Sequence, residues 1–326
     1  MTATTHFASK EAGSFGFKDI LYEKKDWVAR VTINRPESFN CYTTDTLREL
    51  IAAIDDASGD DAVGVIVLTG AGEKAFCTGG DVKEYAAVYT KRPHDYWKYM
   101  GLFSKYIESI LRSGKVTIAR INGIAVGGGN ESQLACDLAV MADDTYLGQV
   151  GTSVGSVACG GATQWLSITI GDRRAREMLF LNPRIPAQKA LEWGLVNRVV
   201  PRAKLDEEVA ALAKQLLEKF PECTRYTKQQ VNYWKEQAWY ATVGHARDWL
   251  STHFTTLEPY EGMQAFVEKR KVDFMGLRRK AAEGGSSEFL WGPYDKTCAK
   301  CGAKGIPQQF QFCGNCGTGL VEGKDG

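Results

Sequence analysis

The sequence predicts an α/β protein on a parallel sheet, followed by a helical tail and a small cysteine module. Three observations carry this reading. Short apolar runs of strand length alternate with segments of helical periodicity before Gly171. Beyond Gly171 the pattern is helix upon helix. Four of the nine cysteines gather near the C-terminus as two C-x₂-C pairs. Strand–helix alternation favours parallel strands joined by right-handed crossovers.

Taken in order, Val28–Ile33, residues 63–68, Val116–Ile121 and Leu138–Ala142 are apolar or alternating runs of strand length. Leu47, Leu50, Ile51 and Ile54 share one helix face, with Thr44 as the expected N-cap. Residues 96–111 repeat the pattern through Met100, Phe103, Ile107 and Leu111. Helices are then expected over 175–181, 186–193 and 205–220, the last with a core stripe of Val209, Leu212, Leu216 and Phe220. Residues 226–280 continue helical. The run Ala281-Ala282-Glu283-Gly284-Gly285-Ser286-Ser287 has the composition of a flexible joint. The expected division is a core over 18–200, a helical region over 201–280, a linker over 281–295 and a cysteine module over 296–322.

Composition narrows the function. With 40 Lys+Arg against 39 Asp+Glu, no basic field exists to attract nucleic acid or an anionic membrane. No run reaches the roughly 18 apolar residues of a membrane span, and the N-terminal stretch lacks an apolar core of signal-peptide length. A cytoplasmic protein is expected. The odd cysteine count argues against a disulfide scaffold and for a reducing compartment.

Two glycine-rich turns hold the chemistry: Cys77-Thr78-Gly79-Gly80-Asp81 and Gly127-Gly128-Gly129-Asn130-Glu131, each after an apolar run. Glycine lets the backbone approach a ligand closely with its N–H groups uncovered. Two such turns can aim two donors at one oxygen that becomes negative during reaction, an oxyanion hole. Losing one donor of this kind costs about 3–4 kcal/mol of barrier lowering. Glu131 follows directly on the second turn as the acid/base candidate; helix capping is its alternative role. Cys298, Cys301, Cys313 and Cys316, each pair followed by glycine, have the spacing of a zinc ribbon, and the same ligands suit iron. Four cysteine ligands leave no open position, so a structural metal is expected. The module has few apolar residues, so metal binding must supply most of its folding free energy. Its scattered lysines, without a recognition helix, do not suit DNA.

Ile33-Asn34-Arg35-Pro36 with Asn40, residues 75–81, Asn122-Gly123 leading to Gly127-Gly128-Gly129, and Gly148-Gln149 resemble the crotonase (enoyl-CoA hydratase/isomerase) superfamily from about residue 22 to 274. Within it, Tyr42-Thr43-Thr44-Asp45, Lys83-Glu84-Tyr85, Tyr99-Met100, Gly160-Gly161-Ala162-Thr163 and Phe220-Pro221-Glu222-Cys223 resemble the ring-opening 6-oxocyclohexene-carbonyl-CoA hydrolases of anaerobic aromatic degradation. The chain departs from that subgroup at Val154 and Gln164, where histidine and aspartate stand, and lacks an insertion before Leu205. The resemblance implies a ββα spiral core, a helical C-terminal trimerisation region and a homotrimer or homohexamer acting on a coenzyme A thioester. It implies that the amides of Gly80 and Gly128 grip the thioester oxygen, with Glu131 as catalytic carboxylate. The second glutamate of classical hydratases falls at Gly151, which cannot transfer a proton and is expected to open space for a bulky ring. Cys77, Gly79, Asp81 and Val82 are implied in coenzyme A binding, as is Lys269, whose alternative is a solvated helix face.

Cys159 and Gln164, with Ser153 and Ser156, are expected to line the acyl site, and His245 could reach it from the helical tail. Three functions stay open: a hydrolase that adds water to an alicyclic oxo- or enoyl-CoA and opens the ring, a cyclic enoyl- or dienoyl-CoA hydratase, and a catalytically weak acyl-CoA-binding scaffold. The ribbon could dock a protein partner, cover the site or brace the oligomer.

Overall fold

The computed structural model describes residues 9–90, 92–285 and 296–320. Strand β1 (Ile20–Lys25) turns through Asp26 and Trp27, both at positive φ, into antiparallel β2 (Val28–Ile33). Such a two-residue turn matches the twist of the flanking strands. Helix α1 (Thr44–Gly59) buries Leu47, Leu50 and Ile54 as expected. Its cap is Thr43, not Thr44. Thr43 Oγ1 accepts from Thr46 N at 3.2 Å, and Thr46 Oγ1 accepts from Thr43 N at 3.1 Å, a reciprocal capping box. Strand β3 (Val65–Gly70) starts two residues later than the apolar run suggests. The amides of Gly64 and Val65 both donate to Trp27 O, which ends the turn before β3 begins.

The chain continues through β4 (Ala75–Cys77), α2 (Val82–Glu84), α3 (Pro93–Leu111), β5 (Val116–Ile121), β6 (Ile124–Val126), α4 (Gly128–Ala135), β7 (Leu138–Ala142) and β8 (Tyr146–Gly148). Then come α5 (Ala162–Ile170), α6 (Asp172–Leu181), β9 (Ile185–Pro186), α7 (Ala187–Trp193) and β10 (Arg198–Val200). Among the described residues the strands form two sheets, ordered β1-β2-β3-β5-β7-β10 and β4-β6-β8-β9. Each of β3, β5 and β7 in the large sheet is followed at once by β4, β6 or β8 in the small one, and helices lead back. Repeated, this is a ββα spiral. Because β4 and β6 pair in parallel, the turns that leave their carboxyl ends, at 78–81 and 127–131, emerge side by side. That topology builds the site.

Helix α8 (Leu205–Leu217) lays Leu205, Val209 and Leu212 on Val65, Val67, Ile118 and Val140 of the large sheet. Phe220 is not part of that stripe. It is 79% exposed, because Pro221 opens a new helix, α9 (Pro221–Val231), with Phe220 as its cap. Lys228 of α9 is buried, with its Nζ 2.9 Å from Asp137 Oδ2 and donating to Ser113 Oγ at 2.9 Å. Helix α10 (Tyr233–His253) crosses α3 and α5. Its Trp239 meets Trp165 of α5 with ring centroids 5.6 Å apart, and both indoles are fully buried. Their ring N–H groups are spent, on Glu108 Oε1 at 2.9 Å and Lys235 O at 3.0 Å. Helices α11 (Leu257–Val267) and α12 (Phe274–Ala282) complete the tail. Ala281 and Ala282 therefore belong to α12, and residues 286–295 of the expected linker lie outside the described residues. No helix among the described residues is long and apolar enough to cross a membrane.

Candidate active site

A cavity of about 730 Å³ opens where the two turns meet, a size that suits a small-molecule ligand. The first turn contributes Gly79, Gly80, Asp81 and Val82 to its wall, and the second Gly127, Gly128 and Glu131. Gly79 (φ +90°) and Gly127 (φ +54°) take backbone conformations that side chains disfavour. The turns touch: a Cβ on Gly79 would lie 2.9 Å from Gly128 N. The amides of Gly80 and Gly128 donate to no acceptor among the described residues. Gly80 sits in an isolated bridge in which Tyr42 N and Asp81 N make the bonds, and Gly128 is the first residue of α4, where no intrahelical acceptor exists. Two unspent donors thus border one cavity.

Glu131 lies in the first turn of α4, whose amide Glu131 N donates to Gly127 O at 3.1 Å. Its side chain does not cap its own helix. Oε1 accepts from Gly160 N at 2.6 Å and Ala162 N at 3.1 Å, while Oε2 has no hydrogen-bond partner among the described residues. Burial pushes its pKa up to about 7, against the opposing pull of the Ala162 and Gly160 amides. Desolvation dominates because the residue is only 3% exposed. The result is a carboxyl held at one oxygen, free at the other and poised to exchange a proton near neutrality. Asp81, by contrast, is engaged. Its Oδ2 lies 3.2 Å from Arg35 Nη2 and its Oδ1 accepts from Lys83 N at 2.9 Å.

The other expected site residues scatter. Val154, Ser156 and Cys159 stand in the wall, and burial raises the Cys159 thiol, which leaves it unreactive. Gly151 is in the wall but opens no space: a Cβ there would meet Ser156 O at 3.0 Å, so its missing side chain makes room for the 156–158 backbone. Cys77 is fully buried behind the wall, its sulfur accepting from Gly79 N at 3.4 Å. Gln164 is outside the wall and spends its Nε2 on Thr242 Oγ1 at 3.0 Å. Ser153 Oγ donates to Asn182 Oδ1. Lys269 and His245 are exposed and away from the cavity of their own chain. The wall also holds residues with no role there legible in the sequence: Tyr42, Tyr85, Tyr96, Met100 and Phe103, a largely aromatic side whose Tyr42 and Tyr85 hydroxyls reach the glycine turns.

In the cysteine module, Cys298 Sγ and Cys316 Sγ are 3.6 Å apart, Cys301 Sγ and Cys313 Sγ 3.7 Å, and all four sulfurs lie within 4.8 Å of one another. Four thiolates about 2.3 Å from a tetrahedral zinc stand about 3.8 Å from each other, so these four fit a metal ion.

Residues 23–277 match the family model described as enoyl-CoA hydratase/isomerase. A 6-oxocyclohex-1-ene-1-carbonyl-CoA hydrolase of Geobacter metallireducens is 33% identical over 311 residues, covering 78% of this chain and 81% of that protein. An enoyl-CoA hydratase from Mycobacterium avium subsp. paratuberculosis superposes with a TM-score of 0.72 at 26% identity, over 79% of this chain and 98% of that one. The enoyl-CoA hydratase of Bacillus anthracis does so at 0.63 with 31% identity, over 79% and 100%. With the spiral, its paired turns and these relatives in agreement, the chain is a member of the enoyl-CoA hydratase/isomerase family, an enzyme of the crotonase fold that acts on coenzyme A thioesters.

Proposed function

We propose that the protein adds water to an alicyclic oxo- or enoyl-CoA thioester and opens the ring. The observation that carries this is the free Oε2 of Glu131 in the same cavity as the unspent amides of Gly80 and Gly128. The thioester oxygen accepts from both amides, which stabilise it more as it becomes an enolate. Glu131 takes a proton from water as the oxygen attacks the ring. Where the ring has a double bond at the α-carbon, a first water saturates it, with the hydroxyl going to the far β-carbon and a proton to the α-carbon. A second water then attacks the β-oxo carbon, and the bond between it and the now tetrahedral α-carbon breaks. The electron pair flows into the thioester as the enolate, the α-carbon is protonated from Glu131, and a carboxylate is left at the other end of the opened chain. No second free carboxylate is needed, in keeping with Gly151. The aromatic side suits a ring, and the named Geobacter relative supports this substrate class.

Val82, Gly79 and Asp81 of the cavity wall would hold the coenzyme A arm, with Lys269 serving a neighbouring copy in a trimer or hexamer. Zinc, held by Cys298, Cys301, Cys313 and Cys316, would supply a structural cross-link and no step of the reaction.

The test is product analysis with 6-oxocyclohex-1-ene-1-carbonyl-CoA and with a cyclic dienoyl-CoA. An open-chain dicarboxylic monothioester is expected from the first, lost at least about a hundredfold in Glu131→Gln. A hydroxy adduct alone would make the protein a hydratase, and an unchanged ligand a binding scaffold.

A further inference from the structure

At each of the two glycines with unspent amides, a tyrosine hydroxyl fills the place of the missing Cβ. A Cβ at Gly80 would run into Tyr85 Oη, and one at Gly128 into Tyr42 Oη. The two hydroxyls differ in one respect. Tyr85 Oη lies 2.7 Å from Tyr99 Oη and has its partner. Tyr42 Oη has no hydrogen-bond partner among the described residues, although Tyr42 is 2% exposed and belongs to the cavity wall.

The Tyr42 ring is held in place. It stacks on Phe103 with centroids 5.6 Å apart and planes at 22°, and leans on Tyr106 at 6.0 Å. Its backbone is pinned to the first glycine turn, with Tyr42 N donating to Gly79 O at 2.9 Å and Tyr42 O accepting from Asp81 N at 3.0 Å. A phenylalanine would make the same stack, so what the hydroxyl adds is a hydrogen bond it can give to whatever occupies the cavity.

We infer that Tyr42 is a further catalytic residue, whose phenol O–H donates a third hydrogen bond to the substrate's thioester oxygen beside the Gly80 and Gly128 amides. The inference rests on the proposed placement of that oxygen. Burial, together with the nearby Tyr85, Cys77, Glu131 and Tyr106 groups, holds the Tyr42 pKa well above its ordinary value, so the phenol keeps its proton and can only donate to an oxyanion. The third donor also explains why Gly128 must lack a side chain. A methyl group at Gly128 would displace the phenol even if the amide stayed in place.

The experiment compares wild type with Tyr42→Phe, which keeps the ring stack. Two readouts are used: turnover of 6-oxocyclohex-1-ene-1-carbonyl-CoA, and the vibrational C=O stretch of bound cyclohexanecarbonyl-CoA labelled with carbon-13 at the thioester carbonyl. That probe has neither a double bond to hydrate nor a β-oxo group to cleave. Wild type is expected to shift the stretch to lower frequency than in solution. Tyr42→Phe is expected to lose part of that shift and about a hundredfold in kcat, with KM changed far less. An unchanged kcat and an unchanged shift in the variant would overturn the role of Tyr42 while leaving the amide pair standing. No shift in wild type would overturn the placement of the oxygen, and the role of Tyr42 with it.

Discussion

The body over residues 9–285 and the module over 296–320 solve the same problem by opposite means. The body buries whole aromatic and aliphatic side chains, with Trp165, Trp239, Tyr106, Phe76 and Leu47 all at or near zero exposure. The module's buried cluster consists of Cys298, Ile306 and Cys313. Apolar burial at about 25 cal/mol per Å² can hold the first together, but three small side chains cannot hold the second. Its four sulfurs, already at metal-ligand separations, must do that work. Each part is vulnerable in its own way: the body to cavities and unpaired buried charges, the module, with a metal ion held by its four thiolates as proposed, to loss of that ion.

The largest expected effect breaks the module alone. Metal binding in zinc-finger peptides is worth about 10–16 kcal/mol. A strong chelator applied to the full chain should therefore abolish ordered amide signals from 296–320 and leave the body's thermal transition in place. Metal content measured before and after would show one equivalent lost; an intact module without metal would contradict the comparison.

A smaller effect breaks the body. Lys228 Nζ sits 2.9 Å from Asp137 Oδ2 with both groups mostly buried, so Lys228→Met leaves a carboxylate without its cation. The expected loss is about 3–5 kcal/mol in denaturant unfolding, with metal content unchanged. A loss below 1 kcal/mol would show the pair to be solvated.

Smallest, and of opposite sign, is the effect of the catalytic carboxyl. Glu131 titrates at about 7 in the folded chain against an ordinary 4.5. Between those values the folded state holds the proton more tightly than the unfolded chain. The stability it contributes is therefore full below pH 4.5 and lost as pH rises through 7, by about 3 kcal/mol in all. Glu131→Gln removes that dependence. The variant should be more stable than wild type at pH 8, and the margin should shrink toward pH 4.5 in urea titrations. A margin independent of pH would contradict the buried, shifted carboxyl. In wild type the same titration should appear as a rise in kcat/KM through pH 7, since the ionised form is the base.

Much of this was legible in the residues. Four strands and the α1 face follow from periodicity, and the two glycine turns and Glu131 follow from local motifs, which is why they converge once β4 and β6 pair. What was not legible depended on three-dimensional company. Met100 and Phe103 read as part of a core stripe of α3, and a stripe looks the same whether it faces protein or a ligand. Gln164 and Gly151 could be placed near the site but not aimed. Thr242, from a helix far along the chain, takes the Gln164 amide, and the 156–158 backbone fills the space beside Gly151. Phe220 fits the α8 period, and only the proline after it announces the break.

The central claim is that the thioester oxygen lies between the Gly80 and Gly128 amides with Glu131 on the ring side. A crystal structure of Glu131→Gln with 6-oxocyclohex-1-ene-1-carbonyl-CoA tests it most directly. The account predicts that oxygen within hydrogen-bond distance, about 3 Å, of both amide nitrogens, with the ring against Tyr42 and Phe103. An oxygen turned to solvent, away from both glycines, would contradict it.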